Sequence, residues 1–110
     1  MLLGPFGFGV AAFNYMRKSG SDPARAVAID LLAQNKSAAV RAELLDALHD
    51  KDAAVRAAAA KALGQRHESA LMEPLGKLFS DPKLPVRLTA AAAYINCADG
   101  RSSKTRTRLQ

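Results

Sequence analysis

The sequence predicts an all-α fold, an α-solenoid of about six helices stacked as antiparallel pairs. The first observation is a repeat of 31 residues, seen most clearly at Arg25, Arg56 and Arg87. A fixed period of this length is typical of stacked two-helix units. The second is a hydrophobic content of 49% with only 5% aromatic residues, the Ala- and Leu-rich mixture of closely packed helices. The third is a set of apolar residues with the i, i+4, i+7, i+8 spacing of an amphipathic helix: Val40, Leu44, Ala47 and Leu48.

The chain begins with an apolar segment, residues 1–8, followed by a predicted helix at about 9–18. Gly9, Phe13 and Met16 align with core positions one period later. This helix corresponds to the second helix of a pair without its first, so we expect the chain to be the C-terminal part of a longer protein. We also expect self-association through this N-terminal edge, because an uncapped solenoid end exposes apolar surface. Gly and Pro interrupt the apolar start, which is too short to span a bilayer, so no membrane contact is expected.

The first complete helix pair is predicted at about 22–34 and 37–49. Pro23 suits the first turn of the first helix, because the N–H that proline lacks has no intrahelical partner there. The apolar face of this helix is predicted to consist of Val27, Ala28, Leu31 and Leu32. The second helix carries the amphipathic stripe described above.

The second pair is predicted at about 52–64 and 69–79. An alanine run in the first of these helices allows neighbouring helix axes to approach closely, and Gly64 is expected to end it. Pro74 lies within the second helix. Because proline removes a backbone donor, this helix is expected to be short or bent.

A last helix is predicted at about 85–97, with Pro85 at its start and residues 98–100 ending it. The repeat domain is therefore expected to span residues 9–97. The remaining segment, 98–110, is expected to be a basic, disordered tail, because short polar termini are usually solvated.

Formal charge is unevenly distributed along the chain. The net charge is +6, but between residues 20 and 99 ten basic side chains balance ten acidic ones. A solenoid that binds nucleic acid is expected to carry a basic stripe along its helices, because phosphate contacts supply most of the affinity. Nucleic acid is therefore not the expected partner.

Two segments share a distinctive order of residues: Asp50-Lys-Asp-Ala-Ala-Val-Arg-Ala-Ala-Ala-Ala-Lys-Ala-Leu-Gly64 and Asp81-Pro-Lys-Leu-Pro-Val-Arg-Leu-Thr-Ala-Ala-Ala92. An Asp turn followed by Val-Arg and an Ala-rich run resembles the HEAT repeat family, in the short-period variety first noted in phycobilisome lyases, over residues 9–97. The resemblance implies that the turn Asp and the Arg tie adjacent repeats together, a framework role for Arg25, Asp50, Arg56, Asp81 and Arg87. The first copy departs from the pattern, because Ser19 replaces the turn Asp. An alternative is that the repeated arginines bind an anionic partner.

No catalytic motif is present, so an enzyme is not expected. His49 and His67 are the only histidines, and no Cys or paired carboxylate stands near them at metal-ligand spacing. Neither a metal nor another cofactor is therefore expected. The single Cys97 excludes an intramolecular disulfide and is interpreted as a buried structural thiol. A lone cysteine suits a reducing compartment, so a cytoplasmic location is expected.

The second helix of each pair is expected to line a concave surface that binds a protein or peptide. Its residues off the core stripe are Arg41 as an anchor, Leu45 and Met72 as apolar contacts, Gly76 as a point of close approach, and His49. The predicted function is thus a non-catalytic protein–protein interaction module. Alternatives are a HEAT-like domain that binds nucleic acid and an accessory domain of a lyase-type enzyme, the latter suggested by the resemblance alone.

Overall fold

The structure, a computed structural model, describes the backbone of residues 22–109 and the side chains of residues 23–99. Within that range the chain is helical without strands, and the predicted all-α, solenoid-like fold is confirmed. The helices are α1 (Asp22–Leu32), α2 (Ala38–Ala47), α3 (Ala53–Gly64), α4 (Met72–Gly76) and α5 (Leu84–Leu109). The apolar segment 1–8 and the helix predicted at 9–18 lie outside the described residues.

Side-chain caps set the starts of two helices. The Ser37 hydroxyl accepts a hydrogen bond from the backbone N–H of Val40 at 3.2 Å, which begins α2. The Asp52 carboxylate accepts from the N–H of Val55 at 3.3 Å, which begins α3. Each cap satisfies one of the backbone donors that a helix leaves unpaired in its first turn.

The helix predicted at 69–79 is a short α-helix, α4, between two 3-10 turns, Ser69–Leu71 and Lys77–Ser80. Pro74 lies in the middle of α4 and has no N–H to donate to a carbonyl one turn earlier. The expectation that this element is short therefore holds, and the backbone completes it with the tighter 3-10 hydrogen bonds.

Helix α5 is longer than predicted. It begins at Leu84, close to the predicted start, but continues through residues 98–100 to Leu109. The helix end predicted at residues 98–100 was therefore wrong. The assignment of residues 98–110 to a separate tail stays a prediction. Gly100 alone costs a helix only about 1 kcal/mol relative to Ala, which is not enough to stop it.

The first helices of successive repeats stack side by side, with α3 between α1 and α5, and the α3–α5 contact is the most extensive among the described helices. Helix α2 packs against α3, and α4 packs against α5. The four residues of the predicted α2 stripe are all buried. Together with the inward residues of α3, α4 and α5 they form one continuous core.

The buried face of α1 differs from the prediction. Val27 is 55% exposed and Leu31 is 75% exposed, whereas Ile29 and Ala33 are buried. The reason is the position of the neighbour: α3 covers the side of α1 that carries Ile29, and no described helix covers the opposite side. Periodicity identifies the helix, but it does not show which of two apolar sides is covered.

Gly64 ends α3 as predicted, but its backbone is not left-handed. The left-handed residue in the following loop is His67, with φ of 54°. Gly64 lies where α3 approaches α5 most closely, because a Cβ built on it would stand 2.7 Å from the Cβ of Ala93. The absence of a side chain therefore permits helix packing rather than an unusual turn.

Candidate functional site

The residues predicted to contact a partner lie on and near α2 and α4. Leu45 and Met72 are partly buried and pack against the core. His49 is exposed, and it follows the end of α2 rather than ending the helix, with its N–H donating to the carbonyl of Asp46 at 3.1 Å. Within the described residues α2 and α4 barely touch each other, so these side chains form a broken surface rather than one pocket.

Arg41 connects the two halves of this surface. Its guanidinium Nη1 donates to Glu68 Oε1 at 3.0 Å, and Glu68 lies in the loop before α4. The side chains are 41% and 35% exposed, so the ion pair is open to solvent. Arg41 therefore presents a guanidinium that is positioned by Glu68 rather than one that is unpaired.

Glu68 also faces a second arginine that the sequence did not predict. Arg66 Nε lies 3.5 Å from Glu68 Oε2, and the Arg66 side chain is only 2% exposed. Its guanidinium donates to three backbone carbonyls in the loop between α1 and α2, those of Asn35 at 3.2 Å, Lys36 at 2.7 Å and Ser37 at 3.1 Å. Arg66 thus joins the loop that follows α3 to the loop between α1 and α2.

Nothing in the repeat pattern indicated this role for Arg66. One period earlier the position is Asn35, and one period later it is Cys97. A residue type that does not recur leaves no periodic signal. Only its burial and its three carbonyl partners identify it.

Gly76 faces this protein's own aromatic side chain. A Cβ built on it would lie 3.7 Å from Cε2 of Tyr94, which is an ordinary van der Waals distance. Tyr94 in turn stacks edge-to-face with Phe79, with ring centroids 5.1 Å apart. The side chain that approaches Gly76 is therefore Tyr94 of α5.

Two of the repeated arginines form two-point ion pairs with the turn aspartates. Arg25 donates from Nε and Nη2 to the Asp50 carboxylate at 3.2 and 3.0 Å. Arg56 donates from Nε and Nη2 to the Asp81 carboxylate at 2.8 and 3.1 Å. In each pair both side chains are largely buried.

The same aspartates also order their own turns. Oδ1 of Asp50 accepts from the N–H of Asp52 at 2.8 Å, and Oδ1 of Asp81 accepts from the N–H of Lys83 at 2.9 Å. The hydrogen bond from Arg56, aided by the Lys83 N–H, outweighs burial and holds the pKa of the Asp81 carboxyl below its ordinary value of 3.8. Asp81 is therefore a carboxylate at neutral pH.

The next arginine along the chain binds the backbone of the same turn. Arg56 Nη1 donates to the Asp50 carbonyl at 2.9 Å, and Arg87 Nη1 donates to the Asp81 carbonyl at 2.7 Å. In each turn, the aspartate carboxylate thus accepts hydrogen bonds from the preceding arginine, and the aspartate backbone carbonyl accepts one from the following arginine. We call this chain of contacts the Arg–Asp ladder, formed by Arg25, Asp50, Arg56, Asp81 and Arg87.

The histidines and the cysteine show no reactive arrangement. His67 Nδ1 lies 3.1 Å from the carbonyl of Asn96. Cys97 is fully buried, and burial raises the pKa of its thiol. In the described part of the chain, no three His, Cys, Asp or Glu side chains stand close enough to hold a metal ion. Within residues 22–109, no helix combines the length and the hydropathy needed to cross a bilayer.

Comparison with known proteins agrees with this architecture. A family model described as HEAT repeats matches residues 11–95, most of the chain. HEAT repeats generally mediate protein–protein interaction and are typically non-catalytic scaffolds. No curated protein matches the chain. The family match, which covers more than half of the chain, shows that the chain belongs to the HEAT repeat family.

Proposed function

We propose that the chain is a non-catalytic interaction module that binds a peptide or a partner helix on the surface formed by α2, α4 and the loop before α4. The observation that carries the proposal is the Arg41–Glu68 ion pair, which joins α2 to the loop before α4. Each of these two helices carries a partly exposed apolar side chain, Leu45 on α2 and Met72 on α4. A charged anchor next to apolar contacts is the usual composition of a peptide-binding surface.

The energetics of Arg41 fit such a role. An ion pair between side chains that are 41% and 35% exposed contributes about 0–1 kcal/mol to stability. A carboxylate from a partner can therefore replace Glu68 at little cost to the fold. The apolar parts of Leu45 and Met72 supply the area that a partner side chain covers.

The Arg–Asp ladder supports this module as a scaffold. We propose the framework role for its five residues. Both arginine–aspartate pairs are largely buried and join the first helix of one repeat to the turn before the next. Arg56 and Arg87 also bind the backbone carbonyl of the turn that precedes their own helix. Self-association through the N-terminal edge stays a prediction, since residues 1–21 lie outside the described part.

A displayed peptide library tests the binding surface directly. Peptides selected on the wild-type chain are then titrated against the double variant Arg41→Ala/Leu45→Ala and against the control Lys61→Ala, an exposed residue on α3. We expect at least a tenfold loss of affinity in the double variant, none in the control, and unchanged helical circular dichroism in both. Equal binding to all three proteins would show that the partner uses another surface.

A further inference from the structure

The Arg–Asp ladder has an open position at Arg87. Arg25 meets the carboxylate 25 residues later, and Arg56 does the same. Arg87 occupies the equivalent place on α5, but it forms no ion pair with any side chain that the structure describes. Arg87 is half-buried.

The Arg87 guanidinium is nonetheless held like that of Arg56. Its Nη1 donates to the Asp81 carbonyl at 2.7 Å, just as Arg56 Nη1 donates to the Asp50 carbonyl at 2.9 Å. In Arg56 the remaining edge, Nε and Nη2, binds both oxygens of a carboxylate. The same edge of Arg87 has no acceptor among the described residues. An arginine fixed at one nitrogen loses less freedom when it binds a carboxylate at the other two.

The surface around Arg87 is apolar. From residue 84 to residue 95 every exposed residue is apolar, namely Leu84, Pro85, Leu88, Ala92 and Ile95. Leu84, Leu88 and Ile95 are each more than half exposed. Their equivalents one period earlier, Ala53, Ala57 and Gly64, belong to the core or pack against it. On α3 this face is covered by the next repeat, and on α5 it is not.

We propose that Arg87 and this apolar face of α5 form a second binding site, which takes an aspartate or glutamate carboxylate of a partner protein together with the apolar helix that follows it. The carboxylate binds Nε and Nη2 of Arg87, as Asp81 binds Arg56. The helix covers Leu84, Leu88 and Ile95. The site is separate from the surface around Arg41.

The side-chain sizes specify the partner further. Leu88 and Ile95 stand where α3 has Ala57 and Gly64, and Gly64 is what allows α5 to approach α3 closely. The partner helix must therefore stand farther out or present small residues opposite them. A second copy stacked head to tail does not meet the requirement for a carboxylate, because its equivalent turn position is Ser19.

A peptide from this chain serves as the probe. Acetylated, fluorescein-labelled peptide 50–65 contains the turn aspartate and a helix with a small-residue face. We expect it to bind the wild-type chain, and the matched Asp50→Asn peptide to bind at least tenfold more weakly. Arg87→Gln should cause the same loss, Arg87→Lys a smaller one, and the two changes together no further loss. Arg41→Ala/Leu45→Ala should bind the probe like wild type, which separates this site from the proposed function.

Fusing the peptide to the chain allows the test to work even when the free peptide binds weakly, because the linker raises the peptide's effective concentration. The same peptide sequence is fused to the C-terminus through a flexible Gly/Ser linker of roughly 20 residues. We expect the fusion to raise Tm by about 4–8 °C relative to its Asn counterpart, and Arg87→Gln to abolish the difference. Equal Tm values for the Asp and Asn fusions would overturn the proposal. A wild-type dimer that dissociates in Arg87→Gln would overturn it too, because the occupant would then be a second copy.

Discussion

Arg56 and Asp81 lie 25 residues apart and meet through two hydrogen bonds, Nε to Oδ2 at 2.8 Å and Nη2 to Oδ1 at 3.1 Å. Arg25 and Asp50 repeat this arrangement at the same separation. Because each pair joins the first helix of one repeat to the turn before the next, the ladder links all three described repeats. Its stability effects are the most direct check on the framework role.

Asp81→Asn should destabilise the fold by about 3 kcal/mol. The amide leaves the largely buried Arg56 guanidinium without a counter-charge, and breaking a buried pair costs more than the intact pair contributes. Urea denaturation measures the difference. Asp30→Asn, an exposed change on α1, should stay within about 0.5 kcal/mol of wild type. Similar midpoints for the two variants would contradict the framework role.

Stability should depend on pH through the same carboxyl group. The pKa of Asp81 in the folded chain lies below its ordinary value of 3.8, chiefly because Arg56 hydrogen-bonds the charged form. The unfolded chain therefore takes up the proton first as the pH falls. The contribution of Asp81 is fully present above pH of about 5 and is lost as the pH falls through the lower, folded value.

Thermal unfolding between pH 2 and 6 checks this dependence. The difference in Tm between wild type and Asp81→Asn should be constant above about pH 5 and should shrink below pH 4. A gap that stays constant down to pH 2 would mean that the carboxylate charge is not what stabilises the turn.

Gly64 and Gly76 should respond oppositely to alanine. Gly64→Ala places a Cβ 2.7 Å from the Cβ and 2.8 Å from the Cα of Ala93, so α3 and α5 must separate. We expect a loss of about 1–3 kcal/mol, as for other overpacked cores. Gly76→Ala meets only Tyr94 at 3.7 Å, so better helix propensity should stabilise it by up to about 1 kcal/mol. Urea denaturation measures both midpoints, and midpoints that shift in the same direction would contradict this prediction.

His67 should tolerate glycine better than valine. Its φ of 54° is accessible to glycine without strain but disfavours a β-branched side chain. Both substitutions remove the contact between Nδ1 and the Asn96 carbonyl, so their difference isolates the backbone effect. We expect His67→Val to be less stable than His67→Gly by about 1–2 kcal/mol. Equal denaturation midpoints would show that the loop adopts another backbone conformation in solution.

Several elements could be predicted from local pattern alone. The α2 stripe was correct because all four of its residues share one helix face and α2 has a neighbour on that face. Pro74 predicted a shortened α4 because a missing N–H acts within one turn. For α1 the same reasoning was wrong, since both of its sides carry apolar residues and, among the described helices, only the side holding Ile29 has a neighbour.

The role of the predicted binding residues stays a prediction, and the sequence alone does not show how they are arranged. Arg41 lies at the surface, but its pairing with Glu68 joins residues 27 positions apart and leaves no periodic signal. Arg66 was missed because its carbonyl partners belong to a different repeat. The open end of the ladder at Arg87 became visible only when the complete pair at Arg56 could be compared with it.

The amino-acid sequence by itself determined the period, the helical segments and the buried stripe of α2, because these depend on side-chain order within a few turns. Tertiary structure determined which aspartate each arginine meets, which side of α1 is covered, and that α5 leaves Leu84, Leu88 and Ile95 exposed. These features depend on where one repeat lies against the next. Stacking distance and side-chain size set that position together, and a repeat considered alone contains only half of each contact.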